Sequence, residues 1–175
     1  MACLSNYTIK GIPSSCEPNL AGIAEAYLGY YGDFTISVDL SAHTVTGFTA
    51  ESGKKLYKYE FAKQTGSLTS TLTKDEANGT RYYTNAVALQ FTKLEASKHL
   101  EVQALAAEKL VGIIKDNNGK YWLVGYDSYL SAAETTAQTG QSYDDLNGYN
   151  VTMNQMSAYL PFEISYAQFS SAIDE

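Results

Sequence analysis

The chain has 175 residues, a formal net charge of −7, and only 18% charged residues. This length suits one domain that folds without a disulfide or structural metal, and the acidic balance argues against a nucleic-acid-binding surface, which needs clustered Lys and Arg. Tyr dominates the aromatic residues, with 15 Tyr against 6 Phe and 1 Trp, and Tyr favours both strands and protein interfaces.

The first 33 residues carry the weakest structural signal. We predict a strand near Tyr7 to Ile9 and then an irregular connection that includes the apolar stretch from Leu20 to Tyr31. The N-terminus lacks a basic segment followed by an apolar run, so no signal peptide is expected, and no apolar run reaches membrane-spanning length. Cys3 and Cys16 form no C-x-x-C pair, so two reduced thiols are favoured over a disulfide between them.

From Phe34 onward, apolar and polar residues alternate in short runs. This period of two predicts antiparallel strands with one apolar face, joined in a meander. Turns are expected at 41–43 and at Asn78-Gly79. The predicted strands lie at 34–40, 45–49, 57–61, 68–72 and 83–91.

Residues 93–108 are predicted to form the one flanking α-helix, because they are good helix formers with no Gly or Pro. Thr92-Lys93-Leu94-Glu95 has the form of a capping box at its start. The helix is expected to pack against the sheet through one stripe, with three further apolar residues beside it. The stripe is Ala96, Leu100, Ala104 and Ala107, and the residues beside it are Val102, Leu105 and Ala106.

The segment after the helix contains the strongest hairpin signal. Two apolar runs, Leu110 to Ile114 and Tyr121 to Val124, flank Asp116-Asn117-Asn118-Gly119, where Asn and Gly accept positive φ. A polar segment at about 127–146 is predicted to be a long loop, and such loops usually act outside their own fold. A strand at 149–153 follows, and the residues after Pro161 are expected to form a last strand or an arm.

Together these elements predict a mainly β protein. The expected fold is an antiparallel β-sandwich or barrel with one flanking α-helix at about residues 93–108. Residues 1–175 are expected to form a single domain with a long loop at about 127–146 and possible extended arms at both termini.

The residues that could carry chemistry do not combine into a known constellation. His43 and His99 lack acidic partners at metal-ligand spacing. The pattern Asp116-x-Asn118-Gly119 matches part of a calcium loop but lacks its twelfth-position Glu, so a hairpin turn is favoured over calcium. Asp144-Asp145 fits a surface pair, and Ser14-Ser15-Cys16 has no nucleophile elbow or base. We therefore expect no catalytic residues, no cofactor and no metal, with a small hydrolase using acidic residues as a minor alternative.

Trp122 and the Tyr-rich strands allow two interpretations. Aromatic faces can stack on sugar rings, which would make a carbohydrate-binding platform. The favoured interpretation is that these rings pack the core and the contacts between subunits, where Tyr and Trp are enriched.

Several short motifs also follow one another in a characteristic order. They are Met1-Ala2-Cys3, Cys16 with Gly22-Ile23, Lys58-Tyr59, Thr65-Gly66-Ser67, Asp116 to Lys120, and Asp145-Leu146-Asn147-Gly148-Tyr149. In this order, and over most of the chain, the layout resembles a family of structural proteins from tailed phages of gut and marine Bacteroidetes. The family's loop is usually richer in Gly, whereas here Tyr129 and Tyr143 lie within it.

The resemblance implies a virion component that assembles into rings, similar to tail tube proteins or head–tail connector ring proteins. Such subunits are β-sandwiches or barrels with a flanking helix, and their strands join across subunits around a channel. The protein would be made in the cytoplasm of the bacterial host and located in the virion, away from membranes. Its partners would be copies of itself and other virion proteins of the tail or neck, while DNA passes an acidic lumen without specific binding.

The expected contact elements of the ring are the loop at 127–146, both termini and one hairpin that extends a sheet into its neighbour. Deleting residues 129–143 is expected to spare folding and abolish assembly. The alternative function is a monomeric carbohydrate-binding or adhesin-like β-domain. The expected subunit-interface residues are Tyr129, Thr135, Thr136, Thr139, Gly140, Tyr143, Asp144, Phe162 and Tyr166.

Overall fold

A computed structural model gives the fold, and the structure describes residues 11–174. The chain is mainly β, with 50% strand and 12% helix, and its strands form two sheets with a helix beside them. This arrangement confirms the predicted β-sandwich with a flanking helix. The strand predicted near Tyr7 to Ile9 lies outside the described residues.

The elements follow one another along the chain with short connections. The strands are β1 (Ile23–Tyr30), β2 (Phe34–Asp39), β3 (Thr44–Ala50), β4 (Leu56–Tyr59), β5 (Ser67–Asp75), β6 (Thr80–Thr92), β7 (Leu110–Asp116), β8 (Tyr121–Val124), β9 (Ser131–Gln138), β10 (Gly148–Ser157), β11 (Phe162–Ile164) and β12 (Ile173–Asp174). The helices are α1 (Ala96–Ala107) and α2 (Tyr166–Phe169), and a 3₁₀ turn, Ser170–Ala172, follows α2.

The larger sheet has eight strands in the order β12-β4-β1-β7-β8-β11-β3-β2. Its predicted hairpins are confirmed: β2 pairs with β3, and β7 pairs with β8. The irregular connection expected from Leu20 to Tyr31 is wrong, because most of this stretch forms β1 between β4 and β7. Ala26, Tyr27 and Leu28 are all buried, and a strand covered on both faces shows no alternation of apolar and polar residues.

Both faces of the larger sheet are covered, which gives the molecule two cores. The first core lies between the sheets, where Leu28 and Ile114 meet Val87 and Met153 of the smaller sheet. The second core lies on the other face of the larger sheet, and α2 and the 3₁₀ turn cover part of it with the buried Phe169 and Ala172.

The C-terminal residues therefore do not project as an arm within the described chain. Phe169 is fully buried, and Ile173 pairs with Leu56 where β12 lies parallel to β4. The apolar residues after Pro161 serve the second core and close one edge of the larger sheet.

The smaller sheet has four strands in the order β5-β6-β10-β9. The hairpin predicted around Asn78-Gly79 is confirmed, since β5 and β6 pair from Ser67 and Ala88 to Asp75 and Thr80. The long loop expected at 127–146 is wrong, because β9 occupies residues 131–138 and pairs with β10. Its run of Ser, Ala, Thr and Gln gives no apolar alternation, so backbone pairing with β10 holds the strand in place.

The flanking helix is present, but its start and its buried face differ from the prediction. Thr92 still belongs to β6, Lys93 has a φ of 66°, and Glu95 occupies the N-cap without a side-chain cap bond, so the predicted capping box is wrong. The expected stripe of Ala96, Leu100, Ala104 and Ala107 is exposed. Val102 and Leu105, placed beside the stripe in the prediction, are the residues buried against the sheets.

Candidate assembly surface

The smaller sheet ends in two open edges, β5 on one side and β9 on the other. Strand β9 is more exposed than β5, because every residue from Ala133 to Gln138 is exposed, on both faces of the strand. Its sequence, SAAETTAQ, has no Lys or Pro and a single charge, at Glu134. Soluble proteins usually protect such edges with charges, Pro or a covering element. Helix α1 contacts β9, but Ala133 to Gln138 remain exposed, so this backbone is open for pairing with another strand.

The pairing between β9 and β10 contains one irregularity, at Ala133. Ala132 lies opposite Met153 and Glu134 opposite Thr152, so Ala133 is the extra residue of a bulge. From Glu134 to Gln138 the register is regular. The bulge increases the local twist and marks where the open part of the edge begins.

The turn between β9 and β10 is built around the carboxylate of Asp145. It accepts hydrogen bonds of 2.8 Å from the backbone N–H groups of Gln141 and Ser142, and these bonds lower the pKa of Asp145. Gly140 has a φ of 73°, and a Cβ atom there would lie 2.6 Å from the Cβ of Asp145. A defined turn, and not a long loop, therefore continues the open edge.

Most of the expected interface residues from the polar segment lie together on this edge and its turn. Thr135 and Thr136 are exposed residues of β9, and Thr139, Tyr143 and Asp144 are exposed in the turn, together with the half-buried Gly140. The segment lies at the surface, where it forms a strand and its turn, and its role in a subunit interface stays a prediction.

Tyr129 precedes the other end of β9 and is 42% exposed. Its ring packs edge-on against Tyr31, with centroids 6.1 Å apart, and the Lys109 ammonium lies 4.7 Å from the ring centroid. The next residue, Leu130, is fully buried and exchanges two backbone hydrogen bonds of 2.8 Å with Leu110. Deleting residues 129–143 would remove this core residue and all of β9, so the expectation that the deletion spares folding needs correction.

Phe162 and Tyr166 lie far from this edge, on the larger sheet and on α2. Phe162 is only 2% exposed and stacks on His43 with ring centroids 4.3 Å apart, so it is a core residue and cannot form part of a subunit interface. Tyr166 is 50% exposed, and its ring packs against Phe169 and Tyr121. The sequence could not show whether Phe162, an apolar residue near the C-terminus, packs in the core or contacts another subunit.

The outer face of the smaller sheet, which points away from the first core, consists mainly of small uncharged side chains. The register places Thr69 and Thr71 of β5 beside Ala86 and Thr84 of β6, and Thr152 beside Glu134 of β9. The remaining outward residues of β6 and β10 include Tyr82, Ala88, Gln90, Asn150, Asn154 and Met156. The charged members are Glu134 and, at the hairpin tip, Asp75. The face therefore lacks the positive charge that phosphate contacts need.

The edge formed by β5 was not predicted as part of the surface. Its alternation of Leu68, Ser70 and Leu72 with exposed Thr residues predicted the strand correctly. Whether a strand ends a sheet depends on pairing with distant residues, so the sequence of β5 carried no signal for its edge position.

Trp122 lines a cleft of about 480 Å³ at one end of the sandwich, together with His43, Leu68 and Leu160. Its indole N–H donates to Asp116 Oδ2 at 3.0 Å. Tyr121 points to the opposite side of β8 and packs on Phe169, so the neighbouring Tyr does not join Trp122 in a platform.

Asp116 acts as the cap of the β7–β8 turn. Besides the indole, its carboxylate accepts the backbone N–H groups of Asn118 and Lys120, each at 2.9 Å. Asn117 and Asn118 in turn bind the segment before β1, since Asn118 Oδ1 accepts the Leu20 N–H at 2.8 Å and Asn117 Nδ2 donates to the Ala21 carbonyl at 2.6 Å. The pattern that matched part of a calcium loop thus organises a turn and fixes the entry of the chain into the sandwich.

The remaining candidates for chemistry lie apart. Within residues 11–174, no group of three or more His, Cys, Asp or Glu side chains could hold a metal ion. His99 packs edge-on against Tyr149, Cys16 is exposed, and Cys3 lies outside the described residues. In the same range, no helix has the length and apolar character needed to cross a membrane.

Comparisons of the chain with protein-family models, curated proteins and solved structures found no match. The assignment to a fold class therefore depends on the structure, and the resemblance to phage proteins depends on the sequence motifs described above.

Proposed function

We propose that this chain is a structural subunit of a phage virion that assembles into a ring of the tail tube or of the head–tail connector. The observation that supports this most directly is the smaller sheet with its two open and unlike edges, β5 and β9. Pairing β9 of one copy with β5 of the next is a head-to-tail contact, which generates a ring when the rotation between copies closes. It also pairs both exposed edges, which would otherwise be sites of uncontrolled aggregation.

The composition of the outer face fits a channel wall. In such a ring the joined sheets would present Thr, Ala, Asn and Gln side chains to the channel, with Glu134 as a repeated negative charge. A neutral to acidic wall offers phosphates no cation to bind, so DNA would slide past it. The exposed turn at 139–146 is the element that we assign to contacts with other virion proteins of the tail or neck.

Glycan binding by a monomer is the competing function, and the cleft at Trp122 would be its site. The Trp122 indole N–H and the Asp116 carboxylate are already bonded to each other, which leaves mainly apolar lining for a ligand that is rich in hydroxyl groups. This favours assembly over sugar recognition.

The role of the β9 edge in self-association is tested by introducing positive charge on this strand. Thr135→Lys combined with Thr136→Lys should abolish self-association, because Lys on an edge strand prevents another strand from pairing there. A control pair, Ala42→Lys with Ser52→Lys, adds the same charge at exposed turn positions of the larger sheet. Light scattering after size-exclusion chromatography measures the mass of each variant.

If the edge variant forms the same particles as the wild-type protein, the β9 edge is not the contact. If the wild-type protein and both variants are monomers that bind a glycan saturably, the carbohydrate-binding alternative replaces the proposal.

A further inference from the structure

A second cleft, of about 320 Å³, lies between helix α1 and strands β1 and β4. Its lining combines aromatic side chains from β1 and β4 with acidic side chains from α1 and its C-cap. These side chains are Tyr30, Tyr57, Tyr59, Glu101 and Glu108. No Lys or Arg belongs to the lining that the structure describes, so the cleft is both aromatic and negatively charged.

The tyrosines and glutamates of this cleft are arranged for a positively charged group. The Tyr59 hydroxyl donates a hydrogen bond to the Glu101 carboxylate. Burial is the larger cause and this hydrogen bond the second cause of a raised pKa of Tyr59, so the phenol stays neutral. Glu108 is the C-cap of α1, where the partial negative charge of the helix end adds to its own charge. Tyr30 and Tyr57 are 44% and 46% exposed, so rings at the opening remain accessible.

A guanidinium group matches this lining better than an ammonium group. It stacks on aromatic faces, donates to carboxylates through a planar fork, and is more weakly hydrated, so it enters a cleft of this kind at lower cost. An Arg side chain is therefore the group that the cleft recognises best.

The chain contains a single arginine, Arg81. It is exposed and lies near the tip of the β5–β6 hairpin, opposite Lys74. Strand β10 pairs with β6 only as far as Tyr83, so Arg81 projects beyond the four-stranded part of the sheet. Within the described chain, Lys74 pairs with Glu76, whereas Arg81 has no ion pair.

We propose that Arg81 of one copy inserts into the Tyr–Glu cleft of the adjacent copy. The inference rests on the proposed assembly of this chain with copies of itself. Arg81 belongs to the hairpin that contains the edge strand β5, whereas the cleft lies beside α1, which packs against the opposite edge strand, β9. Arg81 does not line the cleft of its own copy, and insertion into a neighbour's cleft would run in the same head-to-tail sense as the pairing of β5 with β9.

Charge reversal at this contact provides the test. Arg81→Glu should weaken self-association by at least about tenfold, as truncating or reversing a desolvated charge pair does at other interfaces. Arg81→Lys should retain part of the affinity, because it keeps the charge and loses the fork. Lys63→Glu is the matched control, since it makes a charge reversal from basic to acidic at an exposed position outside β5 and away from the hairpin tip. Sedimentation equilibrium gives the association constant of each variant.

A second variant in the same experiment is designed to restore the contact. Glu108→Arg in the Arg81→Glu background places opposite charges together again, and at least half of the lost affinity should return. The inference is overturned if Arg81→Glu associates like Lys63→Glu, or if the double variant associates no better than Arg81→Glu alone. Should the edge variant abolish association while Arg81→Glu does not, the ring proposal stands and the Arg81 contact fails. A wild-type protein that does not associate overturns both.

Discussion

Aspartate side chains cap several turns of this molecule, which explains part of its acidic composition. Asp39 accepts the Ser41 hydroxyl and backbone N–H, and Asp75 accepts the backbone N–H of Ala77 at 2.9 Å. Asp116 and Asp145 do the same in the β7–β8 and β9–β10 turns. A carboxylate that accepts such bonds is stabilised in its charged form. These acids are therefore structural, although the sequence context of Asp116 allowed a calcium-binding interpretation and that of Asp145 an acid/base pair with Asp144.

The Asp145 cap predicts a specific dependence of stability on pH. Its hydrogen bonds lower its pKa from the ordinary value of 3.8, so its contribution to stability is present above about pH 4 and is lost as the pH falls through the folded-state pKa. Asp145→Asn should reduce the thermal stability near neutral pH and lessen the loss between pH 4 and pH 2. Circular dichroism melting over this range measures both effects.

Asp144→Asn is the control. This substitution removes the same charge, but the Asp144 carboxylate makes no capping bond in the described structure. If the melting temperatures of the two variants depend on pH in the same way, the Asp145 cap does not act as described.

Among the secondary-structure elements, the strands with one buried and one exposed face were predictable and the others were not. Strands β2, β5, β6 and β10 show the period of two because only one side of each meets a core. β1 is largely buried on both faces and β9 is largely exposed on both, so neither alternates. Composition predicted that the helix exists. Which face is buried, the one with Leu100 or the one with Leu105, depended on where β6 ended.

The corrected helix orientation predicts unequal effects of two similar substitutions. Leu105→Ala should lower the free energy of unfolding by about 2 to 4 kcal/mol, because it removes a side chain buried in the first core. Leu100→Ala should change it by less than about 0.5 kcal/mol, because Leu100 is 71% exposed. Urea denaturation measures both, and equal losses would mean that the other face of the helix is buried.

At the scale of the whole molecule, the candidate assembly surface depends on which strands end the smaller sheet. The sequence indicated that Thr135, Thr136 and Tyr143 lie at the surface, because a polar segment without apolar periodicity cannot be part of a core. It could not indicate that β9 ends the sheet, or that β5 forms the other edge, because both facts follow from the pairing of β6 with β10 across distant residues. Phe162 was misassigned because an apolar side chain near a chain end fits a core and an interface equally well.

We propose that this chain associates with copies of itself through unlike edges of one sheet. Light scattering on the purified wild-type protein, with negative-stain images of the same sample, measures this association. We predict a mass that is a multiple of the chain mass of 19.1 kDa, and closed rings or stacked rings in the images. A single species at the mass of one chain, unchanged as the concentration rises, would contradict the claim.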